Sequence, residues 1–230
     1  MNTSPLKARW PQNDAALPAR QHWSGLHGSS LVLALQSAAR VAGKPVLVVT
    51  RSSHQAQMLA RDLQLLSTGR LPVLLFPDHE TLPYDPYSPH PDIVSERLAT
   101  LAQIGTLREG LIFCSVAALS QRLPPVPYVR QRSFDLQTGQ VIRIDDFREH
   151  LVKAGYQAAE QVYQPGQFAI RGSVIDLFPT GLDQPIRLDL FDEELESIRS
   201  FDAESQRSEG KLERITLLPA REYPADEESL

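Results

Sequence analysis

The sequence predicts an α/β protein in two parts, and three features of its patterning predict it. Three short, unbroken apolar runs, PVLVVT (45–50), LPVLLFP (71–77) and LIFCSV (111–116), alternate with stretches of helical period. That is the pattern of a parallel sheet whose strands are buried on both faces and joined by helices. At LPPVP (123–127) three prolines in five residues interrupt the pattern. Beyond them apolar and polar residues alternate, as expected of a small α+β domain whose largely antiparallel sheet has one wet face.

Residues 1–20 are polar and contain prolines, so an extended lead-in is expected. The first helix is SSLVLALQSAARVAG, with Ser29 or Ser30 as its cap, an apolar stripe of Leu31, Leu35, Ala38 and Ala42, and Gly43 at its exit. Ser52 followed by Gln55 forms a capping box for a second helix ending near Leu66. The loop HETLPYDPYSPHP (79–91) holds four prolines and cannot be regular. Asp92 then caps IVSERLATLAQI. In the second part a helix from about Asp146 to Ala154 closes on Gly155, between the alternating segments QRSFDLQTGQVIRI, QFAIRGSVIDLFP and PIRLDLFDEELESIRSFD.

The totals narrow the classes, and they leave a DNA-gripping surface unsupported rather than excluded. A formal charge of −5 is spread unevenly, with ten Lys/Arg against eight Asp/Glu in residues 1–120 and twelve against sixteen in residues 121–220. Neither part has the basic excess by which nucleic-acid binders neutralise phosphates. The single cysteine, Cys114, sits in an apolar run, reads as a small core residue and favours a reducing, cytoplasmic setting. No signal peptide is visible at the start and no run approaches a membrane span, so the chain reads as soluble, with no membrane partner. The last stretch, ITLLPAREYPADEESL, reads as the start of something longer.

The stretch GLHGSSLV (25–32) has the outline of a phosphate-binding loop without its chemistry. Gly25 fits the first position and Gly28 falls within the loop, but Ser30, Leu31 and Val32 stand where Gly, Lys and the magnesium-binding hydroxyl belong. The spacing by itself is as well explained by any helix preceded by Gly and Ser. In either case no nucleotide hydrolysis is expected, because the Lys that meets the β- and γ-phosphates is missing.

The second part offers a surface. If 168–178 and 186–193 form a hairpin with Phe178 opposite Ile186, even positions from Phe168 to Leu190 face the core, and Asp176 is the exception that a bulge or a buried hydrogen bond must explain. The odd positions Arg171, Ser173, Ile175, Leu177, Arg187, Asp189 and Phe191 then share the other face. An exposed Phe beside two arginines has the composition of a protein-binding hot spot. The alternative is a Phe191 covered by a helix of its own domain, with Arg187 and Asp189 as a solvated ion pair.

Other groupings carry little. FDEELE (191–196) lacks calcium-loop spacing and reads as a solvated acidic turn, while His79, Glu80 and His90 lack a second pair at zinc-ligand spacing. No metal or cofactor is expected, and no catalytic triad can be nominated. Tyr84 and Tyr87 could stack on bases, but their loop has no basic residue.

Taken together, TLPYDPYSPHPDIVSERLATL, IRGSVIDLFPTG, IRLDLFDEELESIRSFDAESQRS and ITLLPA resemble the N-terminal region of the bacterial transcription-repair coupling factors, the Mfd family, over roughly residues 40 to 225. The resemblance implies a UvrB-like architecture: a degenerate helicase-like, P-loop-type parallel-sheet domain (1–122), an inserted small α+β domain (123–218), and a segment (219–230) returning to the first. It implies that the phosphate loop, intact in UvrB, is inactive at 25–32, and that the aromatic DNA-clamping hairpin of UvrB is replaced by the short loop 79–91. It further implies that the inserted domain binds UvrA through Arg171, Arg187 and Phe191. Full-length family members would be ATP-dependent DNA translocases that contact RNA polymerase and DNA through other parts, with the UvrA-binding surface covered by a C-terminal domain until the motor acts. The expected role is therefore a non-catalytic module that recruits nucleotide excision repair to stalled RNA polymerase. An ATP-dependent translocase or helicase fragment, or a direct damaged-DNA-binding module, is the alternative.

Overall fold

The computed structural model of the chain describes residues 22–67, 71–82 and 85–223. The backbone gathers into two compact units, one formed by the chain up to Asp78 with Gln103–Gln121, the other by His79–Ala102 with the chain from Arg122 onward. Up to the second crossover the elements are α1 (Ser29–Ala42), β1 (Pro45–Thr50), α2 (Ser53–Ser67), β2 (Val73–Phe76), α3 (Pro91–Ile104), β3 (Gly110–Ser115) and α4 (Val116–Ser120). An α/β class with parallel and antiparallel sheets is thus what the chain adopts.

The first unit is built on β3. Its sheet has the order β1-β3-β2, every pair parallel, so the strand made last lies in the middle and is buried at all its positions. One face of the sheet, with Val46, Val48, Leu111 and Phe113, packs against Val32 and Ala39 of α1 and Ala56, Ala60 and Leu63 of α2. Cys114 is buried in β3, and the loss of water raises its thiol pKa. β1 departs from the expected burial on both faces: as an edge strand it leaves Leu47 and Val49 50% and 42% exposed. An unbroken apolar run records composition and cannot say whether a neighbour covers each face.

The helix starts differ in detail from those expected. Gly28, at φ 53°, is the N-cap of α1, while the Ser30 hydroxyl accepts from His27 N–H (2.8 Å) and donates to His27 O (2.7 Å). At α2 the Ser52 hydroxyl accepts from Gln55 N–H, but Gln55 Oε1 returns the bond to Arg51 N–H, each at 3.3 Å. α3 begins on Pro91, where a fixed φ suits the first helical position, and Asp92 falls in its first turn.

Gly110 opens β3 at φ +139°, and a Cβ there would stand 2.6 Å from Pro72 O, which already accepts Leu111 N–H at 2.9 Å. Gly110→Ala is expected to lower stability by about 1–3 kcal/mol, read as a lower urea midpoint at constant m. An unchanged midpoint would mean that the β2–β3 junction yields without cost.

The second unit continues with α5 (Val126–Gln131), β4 (Phe134–Gln137), α6 (Ile144–Lys153), β5 (Gln157–Ala158), β6 (Gln167–Arg171), β7 (Val174–Leu177), β8 (Ile186–Phe191), β9 (Glu194–Phe201), β10 (Ser208–Leu212) and β11 (Arg214–Leu217). Six strands run in the order β10-β9-β8-β7-β6-β5, antiparallel except for β5 with β6, and β11 pairs antiparallel with β4. The core lies on one face of the large sheet. Phe168, Ile175, Leu177, Ile186, Leu188 and Ile198 meet Phe147 and Leu151 of α6 and Leu136, Ile215 and Leu217 of the two-stranded sheet. Phe134 and Phe147 touch edge to face at 5.9 Å.

The segment after β11, expected to return to the first domain, is held within the second unit as far as it is described. Leu218 O accepts from the Tyr156 hydroxyl (2.9 Å), and Ala220 N–H donates to Ala154 O (2.8 Å). Glu222, 4% exposed, is met by the fully buried Arg97 of α3 (Nη2–Oε2 3.3 Å) and by His79 (Nε2–Oε1 3.1 Å). This buried ion pair ties His79 and α3 to the end of the described chain, and His79–Ala102 belongs to the second unit, where the sequence reading places it in the first domain (1–122). Residues 224–230 and the expected lead-in at 1–20 lie outside the described residues. Among the described residues no helix is long and apolar enough to cross a membrane.

Candidate functional site

The face of the large sheet opposite the core is set by a two-residue turn. Sequence patterning treats 168–178 as one strand, whereas Gly172 (φ 61°) and Ser173 turn the chain so that Arg171 stands opposite Val174. Gly tolerates the positive φ that such a tight hairpin requires at its first central position. The turn reverses the parity of β7 relative to the alternation expected from β6. Leu177, not Phe178, faces Ile186, and Asp176 faces Arg187. Ile175 and Leu177, expected on the outer face, are fully buried, while Val174 and Asp176, expected on the inner one, share the outer face with Arg171 and Arg187. Asp176 is therefore no exception to the alternation.

That aspartate organises the face. It is 1% exposed, and Arg187 closes on it as a fork, Nε to Oδ1 at 2.6 Å and Nη2 to Oδ2 at 2.9 Å. Arg171 Nη2 also bonds to Oδ2, so two guanidinium groups share one carboxylate and the trio keeps one net positive charge. The hydrogen bond to Asp176 raises the pKa of Arg187 above even its usual value. Behind it the Phe201 ring lies 4.9 Å from the guanidinium carbon, a cation–π contact that fixes the side chain from its other face. Along β8 the next outward residue, Asp189, accepts from the Ser197 hydroxyl (2.7 Å) and lies 3.7 Å from Arg199 Nε. Asp189 thus pairs with Arg199 and Arg187 with Asp176, unlike the Arg187–Asp189 ion pair of the alternative reading.

Phe191 ends β8 on the parity of Arg187 and Asp189. It is 72% exposed, so no helix of its own unit covers it. Phe191 and Glu194 are cross-strand partners around the turn Asp192–Glu193, with Asp192 at φ 55°, and these acidic positions are exposed. The sheet register relates the three expected site residues: Arg171 pairs with Val174, Val174 with Asp189, and Phe191 is the next outward residue beyond Asp189. All three lie on one face, with Arg171 half exposed, Arg187 22% exposed, and Phe191 open. Sequence reasoning missed Asp176 as the organiser, and Phe201 and Arg199 as supports. A signal was present: an acidic residue interrupting an apolar run between two arginines on paired strands.

The remaining candidates form no comparable site. At 25–32, Ser30 is tied to His27, and Val32, where a magnesium-binding hydroxyl would stand, is 2% exposed in the core. His90 faces Asp92 (3.3 Å), Tyr87 is exposed, and Tyr84 lies outside the described residues.

Comparison with known proteins gives this surface a context. Residues 134–223, which include Arg171, Asp176, Arg187 and Phe191, match the family described as the UvrB interaction domain. The chain is 42% identical over 184 residues to a transcription-repair-coupling factor of Haemophilus influenzae, covering 80% of this chain and 16% of that protein. Proteins of the same description from Escherichia coli and Bacillus subtilis are 39% and 34% identical over 198 and 199 residues, each alignment covering 86% of this chain and 17% of the relative. The chain thus spans about a sixth of the length of these relatives.

Proposed function

We propose, from the match of residues 134–223 to the UvrB interaction domain and from the likeness to transcription-repair-coupling factors, that this chain is a non-catalytic module that binds UvrA and so brings nucleotide excision repair to stalled RNA polymerase. The observation that carries this reading is the open Phe191 ring on the same sheet face as two arginines fixed by Asp176.

The contact works by division of labour. Phe191 supplies an apolar anchor that loses its water on docking. Asp176 uses Nε and Nη2 of Arg187, which leaves the Nη1 hydrogens directed to an acceptor on UvrA, while half-exposed Arg171 offers further donors at the rim. The guanidinium of Arg187 is already held between Asp176 and Phe201, so little side-chain freedom is lost on binding. In this proposal RNA polymerase and DNA are contacted by other parts of the full-length protein, whose ATP-driven translocation does not depend on residues 25–32. That loop is an inactive relic of a phosphate site.

Titration of the chain with purified UvrA tests the proposal. Wild type is expected to bind saturably, and Arg187→Ala to lose about 2 kcal/mol of affinity, roughly 30-fold. Saturable magnesium-dependent ATP binding would instead support the translocase alternative, and salt-dependent duplex binding the DNA-binding one.

A further inference from the structure

The edge of the Phe191 turn is occupied by a segment outside the six strands. Gly139 N–H donates to Leu195 O (2.8 Å), Leu195 N–H to Gln140 O (2.9 Å), and Ile142 N–H to Glu193 O (2.6 Å). Val141 thereby becomes the cross-strand partner of Glu194, whose partner on its other side is Phe191. Paired residues in a sheet place their side chains on the same face with Cβ atoms about 5 Å apart. Val141, Glu194 and Phe191 consequently stand in one row, roughly 10 Å from end to end. Val141 is 66% exposed and Phe191 72%, while the neighbours Ile142, Leu190 and Leu195 are buried. Two apolar side chains are thus held outward on a backbone fixed from both sides.

The surroundings of the row are acidic. Asp192 and Glu193 form the turn and Glu194 opens β9, all exposed, and Glu196 follows. Arg143 offers one guanidinium at 4.0 Å from Glu193 Oε1 and shares it with Asp146 at 3.7 Å. Among the described residues Arg143 is the cation paired with this turn, which leaves most of the negative charge on the side of Phe191 away from the Asp176 trio uncompensated there.

We infer that Val141, Glu194 and Phe191 act as one contact row, and that the partner surface meeting it is an apolar cleft bordered by lysine or arginine. The inference rests on the UvrA-binding reading and specifies the chemistry of the surface that UvrA presents. Val141 becomes a second apolar anchor, and Glu194 fixes the direction of docking by pairing with the basic rim.

UvrA titrations with Val141→Ala, Glu194→Lys and the Val141→Ala/Phe191→Ala double variant test it. Expected are a roughly 5-fold loss for Val141→Ala, at least about 10-fold for Glu194→Lys with a weaker salt dependence than wild type, and non-additive losses in the double variant. Both positions are exposed, so thermal melts should stay at the wild-type midpoint. Wild-type affinity in both single variants overturns the row whatever Phe191→Ala does, and tighter binding by Glu194→Lys overturns the basic rim. Absence of any UvrA binding by the wild-type chain overturns instead the reading beneath.

Discussion

Asp176→Ala is expected to destabilise the second unit by about 2–3 kcal/mol and to weaken UvrA binding more than loss of either arginine alone. Removing one member of a buried ion pair costs about 3–5 kcal/mol when the remaining charge stays buried. Here the arginines keep 50% and 22% of their side-chain surface in water, so they can relax outward and the cost falls below that range. The relaxation is what harms binding: with Asp176 gone, both guanidiniums lose the carboxylate that orients them and repel each other across the hairpin. Asp176→Asn, which keeps the shape and one acceptor oxygen but not the charge, should fall between the two. Urea unfolding and UvrA titration of the pair of variants decide the matter. A wild-type midpoint for Asp176→Ala would show that the fork contributes nothing to the fold, and wild-type affinity would show that arginine orientation does not matter to the partner.

Asp176 is visible in the sequence as an acidic residue at a core parity, but its hold on two arginines is not. The parallel core of the first unit was legible because β3 carries the apolar run LIFC and lies between two other apolar strands. The same rule failed for β1, since Leu47 and Val49 are as apolar as any central strand and only the sheet order makes them an edge. In the second unit alternation correctly placed Arg171, Arg187 and Phe191 on one face, but by a register one residue out. The Gly172–Ser173 turn shifts β7 by one position, which exchanges the faces of Val174 and Asp176 with those of Ile175 and Leu177 and leaves Arg171 on β6 and Arg187 and Phe191 on β8 outward. Arg97 was beyond reach altogether. Its partner Glu222 is 125 residues away, and no local period signals that a charged residue on a helix will be fully buried.

Phe191→Ala is expected to cost about 2–3 kcal/mol of UvrA affinity, roughly 30- to 150-fold, and to leave stability unchanged. The two halves of that statement come from one fact, the 72% exposure of the ring in the free chain. A side chain that touches little of its own unit leaves no cavity when truncated, so the thermal midpoint should stay within a degree or so. The same ring has its area still to bury. A Phe side chain buries about 150–250 Å² when enclosed, and at about 25 cal/mol per Å² even about 80–120 Å² newly covered accounts for about 2–3 kcal/mol. Because this part is apolar, the loss should be nearly independent of salt, whereas the loss from Arg187→Ala should shrink as salt rises. Phe191→Tyr, which keeps the ring, should retain most of the affinity, and Phe191→Leu should lie between. Equal affinity of Phe191→Ala and wild type at two salt concentrations would remove the ring from the interface and leave the arginines to explain binding by charge alone.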